Sequence, residues 1–122
     1  SCRDALSRLE TLVLMAGMEL PAKAIREQVA AAINMIVQTA RLSDGSRKIT
    51  RVSEITGMEG DVITMQDIFE FEQTGYDKDG RVLGDFVALG NVPVFVHDLR
   101  KRGIDVDMSL FKTERSLSHN SK

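Results

Sequence analysis

From Met35 onward the sequence abandons a helical period for a strand period and keeps it for about fifty residues, which limits the fold class more than any other feature. "MIVQTARL" begins as a continuous apolar run, the pattern of a strand covered on both faces. Asp44-Gly45 follows, a strong signal for a tight hairpin. The return stretch "RKITRVSEI" places Ile49, Val52 and Ile55 three apart instead of two, so a β-bulge is expected within it. "DVITMQDIFEFE" alternates, which predicts Ile63, Met65, Phe69 and Phe71 on one face and Thr64, Gln66, Glu70 and Glu72 on the other. "YDKDG" reads as the next turn and "RVLGDFVAL" as a fourth strand. The expectation is an antiparallel meander of about four strands.

Helices flank that meander. In "DALSRLETLVLMAG", Leu6, Leu9, Val13 and Ala16 fall at helical spacing, with Asp4 as the expected N-cap and Gly17 as the stop. Leu12, Leu14 and Met15 widen the apolar arc, so this helix is expected to touch neighbours on more than one side. A second helix opens at Pro21, with Ile25, Val29, Ala32, Ile33 and Ile36 on one face. A third, "PVFVHDLRKRG", offers Val92, Phe95, Val96 and Leu99 as a buried edge and Gly103 as its stop. Two helices, a run of strands and a last helix make an α+β chain. From Lys112 the composition turns to polar residues, so residues 1–111 are expected to fold and 112–122 to form a frayed tail.

Composition narrows the function classes. A chain of 122 residues is about one domain long. Its net charge of −2 argues against a dedicated nucleic-acid binder, which would be basic. The single Cys2 allows no internal disulfide and fits a reducing compartment. No apolar run approaches the roughly 20 residues that a bilayer span needs, so a soluble protein is expected.

Few residues carry recognisable chemistry. There is no GxxxxGK[ST] loop to cradle phosphates. His97 and His119 are far apart and form no metal-ligand spacing, and neither pairs with Cys2 as a thiol nucleophile would require. "GMEG", residues 57–60, has the outline of the GxxG loop of RNA-binding KH modules, but it joins two predicted strands and contains Glu59. No catalytic or metal-binding residue is therefore assigned. One constellation remains: Arg41, Arg47, Lys48 and Arg51 sit around the first hairpin. Most such clusters are solvated turns, and charges also protect strand edges from mispairing. The alternative is that Arg47 or Arg51 reaches a phosphate, within the molecule or across a subunit boundary, because a guanidinium grips phosphate oxygens bidentately.

The stretch from "RDALSRLETLVLMAGMELPAKAIREQVAAAINMIVQTARL" to "SDGSRKITRVSEITGMEGDVITMQDIFEFEQTG" resembles the C-terminal part of type II/type IV secretion-system ATPases. The likeness is strongest to the Flp/Tad pilus-assembly, CpaF-type branch. It runs from Arg3 to about Gly75 and continues more loosely through "FVALGNVPVFVHDLRKRGIDVDMSLF". The resemblance implies a RecA-like α/β motor domain in a homohexameric ring, hydrolysing ATP with Mg to drive pilin assembly. It implies inner-membrane platform proteins as partners and a cytoplasmic location peripheral to the inner membrane. It also implies that the phosphate loop, the acidic motifs and a histidine box lie upstream of "RDALSRLE", so that this stretch alone binds no cofactor. Where the family commonly has proline, this chain has Cys2. The absence of an initiating Met points the same way, toward a piece of a longer chain.

Carried over residue by residue, the resemblance makes Arg3, Arg26, Arg47 and Arg51 candidates for nucleotide or subunit contacts. Arg3 follows the histidine box, although a plain role at the start of a helix is equally compatible. Two function classes stay open: part of a secretion motor, or a stand-alone module docking a partner or a phosphate through its arginine hairpin. If this stretch is cut from a larger core, the helix at 4–16 and the strand edge at Ile36 and Val37 lose their cover, and self-association is expected.

Overall fold

A computed structural model describes residues 2–17 and 21–113. Helices α1 (Cys2–Met15) and α2 (Ala22–Ala32) precede four strands, β1 (Met35–Arg41), β2 (Arg47–Glu59), β3 (Val62–Tyr76) and β4 (Val82–Ala88). Helix α3 (Val94–Lys101) and a 3-10 turn (Met108–Phe111) complete the described chain. The strands form one antiparallel sheet in the order β1-β2-β3-β4, so the expected α+β meander is what the chain adopts. Most of the tail predicted over 112–122, with His119, lies outside the described residues.

Local chemistry accounts for the element ends. Helix α1 already runs from Cys2, so Asp4 lies in its first turn instead of capping it; a carboxylate there still suits the positive end of the helix dipole. Pro21 is the N-cap of α2, one position outside the helix, with extended backbone at ψ 147°. The helix stops at Ala32 and Ile33 is its C-cap, so Ile36, predicted on the helix face, belongs to β1. At the first turn Gly45 takes the left-handed conformation at φ 85° that the hairpin requires. Asp44 Oδ1 accepts from the Ser46 N–H at 2.9 Å and from the Ser46 hydroxyl at 2.6 Å, which holds the turn closed.

The sheet has a core on each side. Glu54 and Ile55 are consecutive in β2 and therefore point to opposite faces. Ile55 joins Leu6 and Ile63, with Val29, Ile33, Ile36 and Met65 packed around them, beneath α1 and α2. Glu54 faces α3, where Ile68, Val96 and Phe111 form the second cluster with Phe69 beside it.

Bulges decide which face each residue takes. Gln38 pairs with Arg51 and Thr39 with Ile49, which leaves Thr50 as the extra residue and places the bulge where the spacing predicted it. A second bulge changes the reading of β3. Val52 pairs with Phe69 and Ser53 with Asp67, so Ile68 is inserted between them. Ile63 and Met65 consequently lie under α1 and α2, while Phe69 packs on the α3 side, not on the shared face that uninterrupted alternation predicted. Strand β1 is not covered on both faces either: Val37 is 55% exposed. On α3, Val96 is buried as predicted but Phe95 is 40% exposed, because the helix lies on the sheet by a narrow edge.

Candidate functional site

The four arginines singled out in the sequence divide into three that the fold has already engaged and one that it has not. Arg3 donates from Nη2 to the Ile63 carbonyl at 3.1 Å, tying the start of α1 to β3. Arg26 reaches across from α2 to α1, with Nε and Nη2 on the two Glu10 carboxylate oxygens at 3.1 and 3.2 Å. Its Nη1 also donates to the Asp61 carbonyl at 3.2 Å in the β2–β3 turn. A fork that holds both oxygens of a carboxylate is the strongest geometry a guanidinium has, and here it fastens two helices to a hairpin. Arg3 and Arg26 thereby line one open cleft of 260 Å³, with Ser7, Glu10 and Asp61.

Arg51 stands on the same face of the sheet as α1. It forms ion pairs with Asp67 and with Glu70, the latter at 3.0 Å, both from β3. Ser53, fully buried, donates its hydroxyl to the other Asp67 oxygen at 2.5 Å. Arg51 and Asp67 line a second cleft of 320 Å³ together with Cys2 and Arg3. The cationic cluster of the hairpin is therefore split. Its inner member is neutralised by two carboxylates contributed by another strand, and the outer members are not.

The outer members are Arg41 and Arg47, both exposed and directly opposite each other across the β1–β2 ladder. Neither makes a side-chain hydrogen bond or ion pair among the described residues. Lys48 lies 5.8 Å from the centre of the Phe71 ring, within cation–π range.

Two long-range contacts hold this end of the sheet in place. Asp44 Oδ2 accepts from the Val82 N–H at 2.7 Å, joining the β1–β2 turn to the start of β4. Ser43 and Tyr76 hydroxyls lie 3.1 Å apart. These hydrogen bonds favour the charged form of Asp44. The Ser46 hydroxyl contributes most, then the Val82 and Ser46 N–H groups, and they bring its pKa down to about 2. The Tyr76 phenol is drawn below its ordinary value, first by Ser43 and then by Gln73. Sequence reading took Asp44 only as a turn former, because nothing within four residues of it announces a partner 38 positions away.

A second residue went unnoticed. Glu54 is 3% exposed, and its Oε1 accepts from Gln66 and from the Val94 N–H, both at 2.8 Å. Its Oε2 accepts from the Phe95 N–H at 3.2 Å. A carboxylate on β2 thus caps the N-terminus of α3, where Pro93 has no side-chain oxygen to offer. It serves the fold, and it explains how a buried acid is tolerated.

No group of three or more His, Cys, Asp or Glu side chains that could hold a metal ion occurs among the described residues. No helix among them is long and apolar enough to cross a membrane. No protein-family model and no curated protein matches the chain.

Proposed function

We propose that this chain is the distal part of the motor domain of a hexameric secretion or pilus-assembly ATPase, with a RecA-like core in the parent protein. The observation that carries the reading is the likeness that runs from Arg3 to about Gly75, above all the long stretch "AIREQVAAAINMIVQ". The uncovered apolar surface is compatible with it: Leu12 is 62%, Leu14 48% and Met15 77% exposed on α1, and Val37 is exposed on edge strand β1. In a larger core those residues are where further elements would pack. The sequence carries no GxxxxGK[ST] phosphate loop. Under this reading nucleotide and metal are held by the upstream half, and this part contributes subunit contacts and a charged hairpin. Ring neighbours and inner-membrane platform proteins are its partners. The test is the product of the complete gene, purified and examined by sedimentation and by phosphate release. A hexamer with magnesium-dependent ATP turnover supports the reading, and a protein without nucleotide hydrolysis overturns it.

A second reading, a docking module that works through its hairpin, is favoured by one specific observation: Arg41 and Arg47 face solvent with no internal partner among the described residues.

A further inference from the structure

Like charges directly opposite in an antiparallel pair repel, and an anion held between them would relieve that repulsion. Arg41 and Arg47 are such a pair. Their side chains leave the same face with Cβ atoms about 5 Å apart, close enough for two guanidinium forks to bracket one tetrahedral anion. The contacts of the second hairpin add to this. The bond from Val82 N–H to Asp44 places Arg81 one residue from the first turn, and the Ser43–Tyr76 contact holds the two tips together. Residues 41–48 and 77–81 then bring five cations (Arg41, Arg47, Lys48, Lys78, Arg81) to one end of the sheet, in a chain whose net charge is −2. Three carboxylates share that end, and two are committed to backbone. Asp44 holds Ser46 and Val82, and Asp77 accepts from the N–H groups of Asp79 and Arg81 at 2.8 and 2.9 Å.

We propose that Arg41 and Arg47, with the stitched second hairpin beside them, form a binding site for the oxyanion of a phosphate group. The site is composite. Residues from two hairpins more than thirty positions apart build it, and Asp44 keeps it assembled by holding backbone. The proposal rests on the docking reading above and deepens it, and its test is separate from that of the motor reading. Two sources share the chemistry: a soluble phosphate and the headgroup of an anionic lipid.

Amide shifts of the chain are followed by NMR as inorganic phosphate is added at constant ionic strength. In parallel, the chain is sedimented with phosphatidylcholine vesicles with and without phosphatidic acid. Saturable shifts confined to residues 41–48 and 77–82 support the site and assign a soluble ligand. Sedimentation with phosphatidic acid vesicles alone supports the site and assigns a lipid headgroup. Arg47→Gln weakens either form of binding by about tenfold or more, the loss of one charge-assisted contact. Arg100→Gln, on the exposed side of α3, leaves binding unchanged. Asp44→Ala separates the two ideas of the site: simple charge arithmetic makes binding tighter, whereas the composite site makes it weaker. Neither phosphate nor vesicle binding, equal effects of Arg47→Gln and Arg100→Gln, or tighter binding by Asp44→Ala overturns the proposal.

Discussion

Arg47 and Arg51 stand four residues apart and have opposite fates, which makes them the most informative pair of positions in the chain. Arg51→Ala leaves Asp67 and Glu70 facing each other across a half-buried cleft without their cation. A loss of about 1–2 kcal/mol is expected, discounted from the buried-pair range because these side chains are partly solvated. Arg47→Ala removes a residue with no internal partner among the described residues and relieves its repulsion with Arg41, so stability stays within about 0.5 kcal/mol of the parent. Urea midpoints of the two variants check both statements. Glu54 predicts a larger effect. Glu54→Ala strands the Val94 and Phe95 N–H groups and leaves the Gln66 amide only the Val92 carbonyl, a cost of about 3 kcal/mol, and Glu54→Gln restores part of it by keeping one acceptor oxygen. Asp44 sets a pH dependence. Its folded pKa, about 2, lies below the ordinary 3.8, so its contribution is complete above the ordinary value and is lost as pH falls through about 2. The amide resonance of Val82 should follow that titration, and in Asp44→Ala the step should vanish. At this scale the sequence singled out Arg3, Arg26, Arg47 and Arg51 and hid what they touch. Glu10, Asp61, Asp67 and Glu70 come to their arginines only through tertiary placement.

At the scale of elements, legibility followed periodicity and failed at the bulges. The order of elements, the first hairpin and the bulge in β2 were all readable, because turn chemistry and spacing are local. The second bulge was not read, although Ile68 interrupts an otherwise polar series of Thr64, Gln66, Glu70 and Glu72 and so carried the signal. An inserted residue moves everything beyond it to the other face, which is why Phe69 and Phe71 part company with Ile63 and Met65. The same displacement brings Phe71 against Gly84 in the neighbouring strand. A Cβ at residue 84 would lie 2.4 Å from Phe71 Cζ and 2.5 Å from the Glu72 carbonyl oxygen. Gly84→Ala should therefore destabilise the β3–β4 pair by about 1–3 kcal/mol, an overpacking cost that thermal unfolding would register. Helix α1 was expected to meet neighbours on more than one side, yet its Leu12, Leu14 and Met15 edge is open among the described residues.

For the whole molecule, those open side chains and the edge of β1 decide how the chain behaves in solution. Most edge strands carry charges, proline or bulges that discourage pairing, whereas β1 has no proline, its one charge is Arg41 at the end, and the extra residue of its bulge, Thr50, lies on β2. The chain is expected to self-associate, with a two-fold dimer as the simplest closed form. Light scattering at micromolar concentration reads this directly, and replacing Leu12 and Met15 with Glu and Lys should return a monomer. By itself the chain should also show no magnesium-dependent ATP turnover above a heat-treated control, because its sequence has no GxxxxGK[ST] loop to clamp the β- and γ-phosphates. Neither result alone reaches the central claim, that this fold is the distal half of a secretion motor. The measurement that reaches it is the sequence of the reading frame that encodes Ser1. The account predicts that the frame continues upstream through a GxxxxGK[ST] loop and a histidine-containing box before "RDALSRLE". A start codon immediately before Ser1, with no phosphate loop in the same frame, would contradict it.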